Sequence, residues 1–179
     1  MNECVCAITG HRPSRFKFNY SEDSALCTKI KANMLEVFRK LHDEKEVRRF
    51  YVGGALGVDM WAAEQILRLK EQPGYENIEL IVALPFVGHD AKWDQRSKRR
   101  MEFILQHCDR KEVVGNEDCR ESYVKRNCYM VDQANYLVAV YDDERNLRSG
   151  TMQCVRYARK NDVPVVLIHP DTANITYPM

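Results

Sequence analysis

The run IELIVAL at 78–84 is apolar at almost every position, a pattern that suits a strand covered on both faces. It is one of several short β-rich runs separated by longer stretches in which apolar residues return every three or four positions. Such alternation predicts an α/β chain whose strands are joined by crossover helices, giving three layers: a mostly parallel sheet with helices on both faces. Strands are expected at 4–9, 49–52, 78–84, 111–114, 135–141 and 164–168. Helices are expected at 22–43, 58–71, 91–108, 121–133 and 150–161. In the first of these, Leu26, Ile30, Met34, Leu35, Phe38 and Leu41 mark one buried face. The tail from 169 onward is expected to be irregular. No Pro/Gly/Ser-rich linker or repeat divides the chain, so residues 1–179 are read as one domain with a core over about 4–168.

Charge narrows the function. The 27 Lys and Arg nearly cancel the 26 Asp and Glu, so no overall field draws this chain to nucleic acid or a membrane surface, and any anion site must be local. The seven cysteines are odd in number and contain no CxxC pair, which fits neither a disulfide framework nor a zinc site. Reduced thiols, no membrane span and a cytoplasmic location are expected, and no metal is assigned. The acidic turn Asp142, Asp143 and Glu144 lacks ligand spacing and reads as solvated loop charge.

Three loops fall at the carboxyl edge of the expected sheet, where α/β proteins hold anions on the amides of helix N-termini. TGHRPSR at 9–15 offers the Thr9 hydroxyl, a close backbone approach at Gly10, His11, and the planar fork of Arg12 for bidentate phosphate contact. VGGALGVD at 52–59 places Gly53, Gly54 and Gly57 before a helix, with Asp59 in its first turn. RSGT at 148–151 presents Ser149, Gly150 and Thr151 at the start of another helix. Arg126 and Asn127 near the start of the helix at 121–133 complete the expected pocket, with Arg126 as its main phosphate ligand. Phe86 or Trp93, beyond the third strand, supplies an aromatic face for a base. No GxGxxG follows the first strand and no GxxxxGK[ST] occurs, which argues against a standard dinucleotide dehydrogenase and a P-loop ATPase.

The motifs AITGHRPS (7–14), VGGALGVDMWAAE (52–64), YVKRNCYMVDQANYLVAVY (123–141) and RSGTMQCVRYARKNDVPVVLI (148–168) together resemble the YpsA-like family. That family belongs to the Rossmann-like superfamily that includes DNA-processing protein A (DprA) and the LOG phosphoribohydrolases. The resemblance implies a Rossmann-like fold and a nucleotide or nucleotide-derived ligand, in a sensor or regulator. No other cofactor is assigned. Related families often form dimers, so a homo-oligomer is within what it implies. Two further activities are carried by the resemblance. A LOG-like enzyme hydrolyses the N-glycosidic bond of nucleoside monophosphates with an Arg, matched here by Arg126, and a Glu whose place is filled by Cys154. Without that acid the reading leans away from an enzyme. A DprA-like protein binds single-stranded DNA, for which KWDQRSKRRMEF at 92–103 offers a basic face with Trp93.

Overall fold

The computed structural model describes residues 3–145 and 147–178. Seven strands form one sheet in the order β4-β3-β2-β1-β5-β6-β7. They are β1 (Cys4–Gly10), β2 (Val47–Val52), β3 (Glu79–Leu84), β4 (Arg110–Val113), β5 (Tyr136–Val140), β6 (Val165–Ile168) and β7 (Ile175–Thr176). All neighbours are parallel except β7, which runs antiparallel to β6. The crossovers are α1 (Ala25–Lys45), α2 (Val58–Lys70), α3 (Gln95–His107), α4 (Arg120–Asp132) and α5 (Gly150–Lys160).

Successive strand residues point to opposite faces, and both faces are apolar. Cys6, Ile8, Phe50, Val52, Leu80, Val82, Val138 and Val140 pack with α1, α2 and α3. The alternate residues Val5, Ala7, Tyr51, Ile81, Ala83, Leu137 and Ala139 pack with Met130 and Val131 of α4 and Cys154, Val155 and Ala158 of α5. The expected three layers follow directly from this alternation. Trp61 and Phe38, both fully buried, are the largest side chains under the first helical layer.

Sheet order fixes where a ligand can enter. The chain moves outward from β1 through β2, β3 and β4, then crosses back to place β5 on the other side of β1. The connections after β1 and β5 therefore leave toward opposite faces, α1 on one and α5 on the other. A crevice opens between them at the carboxyl ends of these two strands, as topological switch points require.

Three local expectations are corrected. The first helix starts at Ala25 rather than 22 because Ser24 caps it, accepting from the Cys27 amide at 3.2 Å. The third starts at Gln95 rather than 91, with Asp94 as its cap and residues 87–92 forming turns. The tail is not wholly irregular: the Ala173 amide donates to the His169 carbonyl and the His169 amide to the Asn174 carbonyl, in a turn that returns Ile175 and Thr176 as β7. Among the described residues, no helix is long and apolar enough to cross a membrane.

Candidate functional site

A cleft of about 1240 Å³ occupies the crevice. Thr9, Gly10, His11 and Arg12 reach it from the end of β1, Gly53 and Asp59 from the turn after β2, Arg126 and Asn127 from α4, and Ser149, Gly150 and Thr151 from the start of α5. Distant segments thus meet at one rim. Gly54, Gly57, Phe86 and Trp93 do not line it.

Each of the four is taken up by packing elsewhere. Gly57, the residue before α2, has φ +85°, and a Cβ there would lie 2.6 Å from the His11 carbonyl oxygen. That carbonyl accepts from the Val58 amide at 3.4 Å, so the β1 loop itself covers the α2 N-terminus. Gly54 packs against Leu84, and its carbonyl accepts from His89 Nε2 at 2.8 Å. Gly54 thus packs on β3, and Gly57 lets the β1 loop close on α2. Phe86 is buried behind Tyr123, edge to face at 5.7 Å, and Trp93 packs against the core and His89. Two half-buried aromatics line the cleft, Tyr123 and Tyr157, and the Arg12 guanidinium is 5.6 Å from the Tyr123 ring centre.

Arg126 is also used differently from the sequence expectation. It is buried; Nη1 donates to the carbonyls of Gly53 and, at 3.4 Å, Ala83, while Nε donates to Asn127 Oδ1 at 2.9 Å. The guanidinium is therefore a brace joining β2, β3 and α4 at the floor of the cleft. Asp59, equally buried, lies across Gly53 from it: a Cβ on Gly53 would sit 2.6 Å from Arg126 Nη1 and 2.7 Å from Asp59 Oδ2. Asp59 also accepts from the Ala55 amide at 3.2 Å. Burial raises the Asp59 carboxyl and lowers the Arg126 guanidinium from their ordinary values, and each partner's charge pulls the other back. Asn127 continues the brace, its Nδ2 reaching the Gly150 carbonyl at 3.5 Å and Gln153 Oε1 at 3.3 Å.

The mouth is formed by the N-terminus of α5. Ser149 caps it, accepting from the Met152 amide at 3.0 Å, and Thr151 Oγ1 meets His11 Nδ1 at 3.4 Å. Burial, with the nearby Arg15 charge and against the pull of Asp142, lowers His11 to about 4, so its ring is neutral at pH 7 and offers hydrogen bonds rather than charge. The ordinary value is 6.5. Between 6.5 and 4 the unfolded chain takes up a proton that the folded chain refuses, so the stability linked to this ring is complete above 6.5 and lost as pH falls toward 4. His11→Gln should flatten the decline of unfolding free energy across that window, measured by denaturant titration at several pH values; identical slopes would remove His11 as the cause.

Cys154 lies outside the lining, fully buried under the first turn of α5. Burial pushes its thiol up to about 12 despite a hydrogen bond from Thr9. A protonated thiol packed in the core thus stands at this position, beside Thr9.

A family model described as the YspA SLOG family, YpsA, matches residues 6–173. The chain belongs to the YpsA family. It is 34% identical over 168 residues to an uncharacterised SPbeta prophage-derived protein, YoqJ, of Bacillus subtilis, covering 83% of this chain and 94% of that protein. A UPF0398 protein of Staphylococcus epidermidis is 26% identical over 141 residues, 77% of this chain and 72% of that one. Among solved structures, DNA processing protein A from Helicobacter pylori, described for its single-stranded DNA binding mode, aligns with a TM-score of 0.60 at 21% identity. Its Streptococcus pneumoniae counterpart, DprA, gives 0.60 at 16%. The alignments cover 92% of this chain but only 65% and 50% of those longer chains. They establish a shared Rossmann-like fold.

In this YpsA-family chain the lining is strongly basic. Arg12 and Arg15 come from the β1 loop, Arg120 and Arg126 from α4, and Arg148, Arg156 and Lys160 from in and before α5, against only Asp59 and Asp118. Arg15, Arg120, Arg148, Arg156 and Lys160 were not singled out from sequence, although Arg15 and Arg148 stand inside the quoted loop motifs. The basic run at 92–103 contributes nothing to the cleft. Its Arg100 is held by Glu22 at 2.6 Å and Glu64 at 2.9 Å on the opposite helical layer. The acidic turn is engaged as well, Asp142 with Arg145 and His169, and Asp143 with Arg159.

Proposed function

We propose that this YpsA-family chain binds a phosphate-bearing nucleotide or nucleotide derivative in the cleft. The observation that carries the reading is the gathering of exposed Arg12, Arg15, Arg120 and Arg148 around the N-terminus of α5, in a chain whose charges otherwise balance. Free amides of a helix start favour an anion, and planar guanidinium groups grip phosphate oxygens in pairs. The neutral His11 ring and Thr9 suit sugar hydroxyls, and Tyr123 offers its ring to a base. Binding is favoured over glycosidic cleavage because the lining holds only two carboxyl groups. Asp59 is sealed beside Arg126, and Asp118 is an exposed partner of Lys92 at 3.4 Å. Single-stranded DNA is the second reading, supported by the DprA fold relationship and by the openness of a groove that sets an aromatic ring among arginines.

Titration calorimetry with nucleoside monophosphates tests the first reading. Arg12→Ala and Arg148→Ala, both at exposed positions, should each weaken binding by about ten- to a hundredfold, since a hydrogen bond to a charged group contributes about 1.5–3 kcal/mol. Wild-type affinity in both variants, or no heat from any monophosphate, would overturn it. An oligonucleotide mobility shift that weakens steeply with salt would favour the second.

A further inference from the structure

The cleft is longer than its mouth. Beyond the α5 N-terminus its wall continues through Gln153, Arg156, Tyr157 and Lys160, the spacing of one stripe along a helix. On α4 the lining is Arg120, Tyr123, Val124, Asn127 and Met130, with the same period, the first three lying ahead of the α5 N-terminus because Asn127 is level with Gly150. The two helices lie side by side in the same direction: Asn127 meets Gly150, Gln153 Nε2 donates to Cys128 Sγ at 3.4 Å, and Tyr157 donates to Asp132 at 2.8 Å. The crevice at the strand ends is thus the head of a trough that runs down the outside of α4 and α5.

Resting on the reading that the head of the trough holds a phosphate, we propose a second anion subsite at its far end, formed by Arg156 and Lys160 beside Tyr157. From Gly150 to Lys160 the helix advances about 15 Å at 1.5 Å per residue. One phosphate group cannot touch both ends. The occupant is a linear molecule with at least two phosphates separated by a nucleoside unit, of dinucleotide size or a longer single strand. The C-terminal half of α5 sorts its cations accordingly. Arg159 turns away and is bound by Asp143 at 2.8 and 2.9 Å, whereas Arg156 and Lys160 border the trough. A basic last turn complements the helix dipole wherever its side chains point, but the dipole does not account for that division between faces. Asp132, level with Tyr157, accepts from the Tyr157 hydroxyl through its Oδ1.

The test uses 5′-phosphorylated thymidine oligonucleotides of one to four units, with affinity measured at two salt concentrations. In the wild type, affinity should step upward once the chain reaches the second subsite. A step at two units identifies a ligand of dinucleotide size, and a step at three or four a longer strand. Arg156→Ala with Lys160→Ala, both at exposed positions, should abolish that step, weaken the tetramer at least tenfold and reduce its salt slope, while leaving the monophosphate unchanged. A double variant that binds mono- and tetranucleotide as the wild type does, or loses both by the same factor, would overturn the subsite. Failure of the wild type to bind the monophosphate at all would instead strike at the reading of the cleft head, and a tetramer still dependent on Arg156 and Lys160 would then leave the far subsite standing.

Discussion

Asp59→Ala should lower the unfolding free energy by about 3 kcal/mol, the lower end of the range for removing one partner of a buried charge pair. The loss arises because Arg126 stays behind, buried, with the carboxylate that most strongly stabilises its charge gone. The lower end applies because Gly53 stands between the two groups and because Arg126 keeps its bonds to Gly53, Ala83 and Asn127. Asp59→Asn keeps the shape and an acceptor for the Ala55 amide, so it isolates the charge. Urea unfolding of both variants measures the difference. If Ala and wild type unfold at the same denaturant concentration, the pairing across Gly53 contributes nothing.

The second large effect is expected at Gly57→Val. Its φ of +85° is a conformation that a β-branched residue resists, at a cost of about 1–3 kcal/mol. The new Cβ would also press on the His11 carbonyl oxygen at 2.6 Å and Pro13 Cδ at 2.9 Å, which adds overpacking of about 1–3 kcal/mol. Gly74→Ala separates these terms. Gly74 has φ +94° but nothing within 4 Å of the added Cβ, so only the conformational part remains. Thermal unfolding should place Gly74→Ala below wild type by the conformational part alone, about 1–3 kcal/mol, and Gly57→Val further below it. Equal losses would show that the contact with the β1 loop is slack.

The sheet was legible because each strand carries its own period. Ile81 and Leu80 must face opposite helical layers, and a strand apolar at both announces two covers. Ile175 and Thr176 could not be read this way, since two residues contain no period and their pairing depends on a turn held by Ala173 and His169. Within the site, sequence order found the loops that meet but not which side of the sheet each faces. Phe86 and Trp93 follow β3, which β2 separates from the switch point, and Gly54 and Gly57 lead into a helix on the far layer. Arg126 could be found as a lining residue, but its contacts with Gly53, Ala83 and Asn127 depend on strands and a helix far apart in sequence and leave no local motif.

That brace bears on how a guest is received. Because Arg126 and Asn127 tie β2, β3, α4 and α5 together as the chain folds, the floor of the cleft is preorganised before any ligand arrives. The freedom still to be surrendered belongs to long exposed side chains such as Arg12 and Arg148, about 0.5–1.5 kcal/mol for each one stilled. Capture should accordingly be quick and sensitive to ionic strength, with residence time decided by how many of those mobile arms close on the visitor.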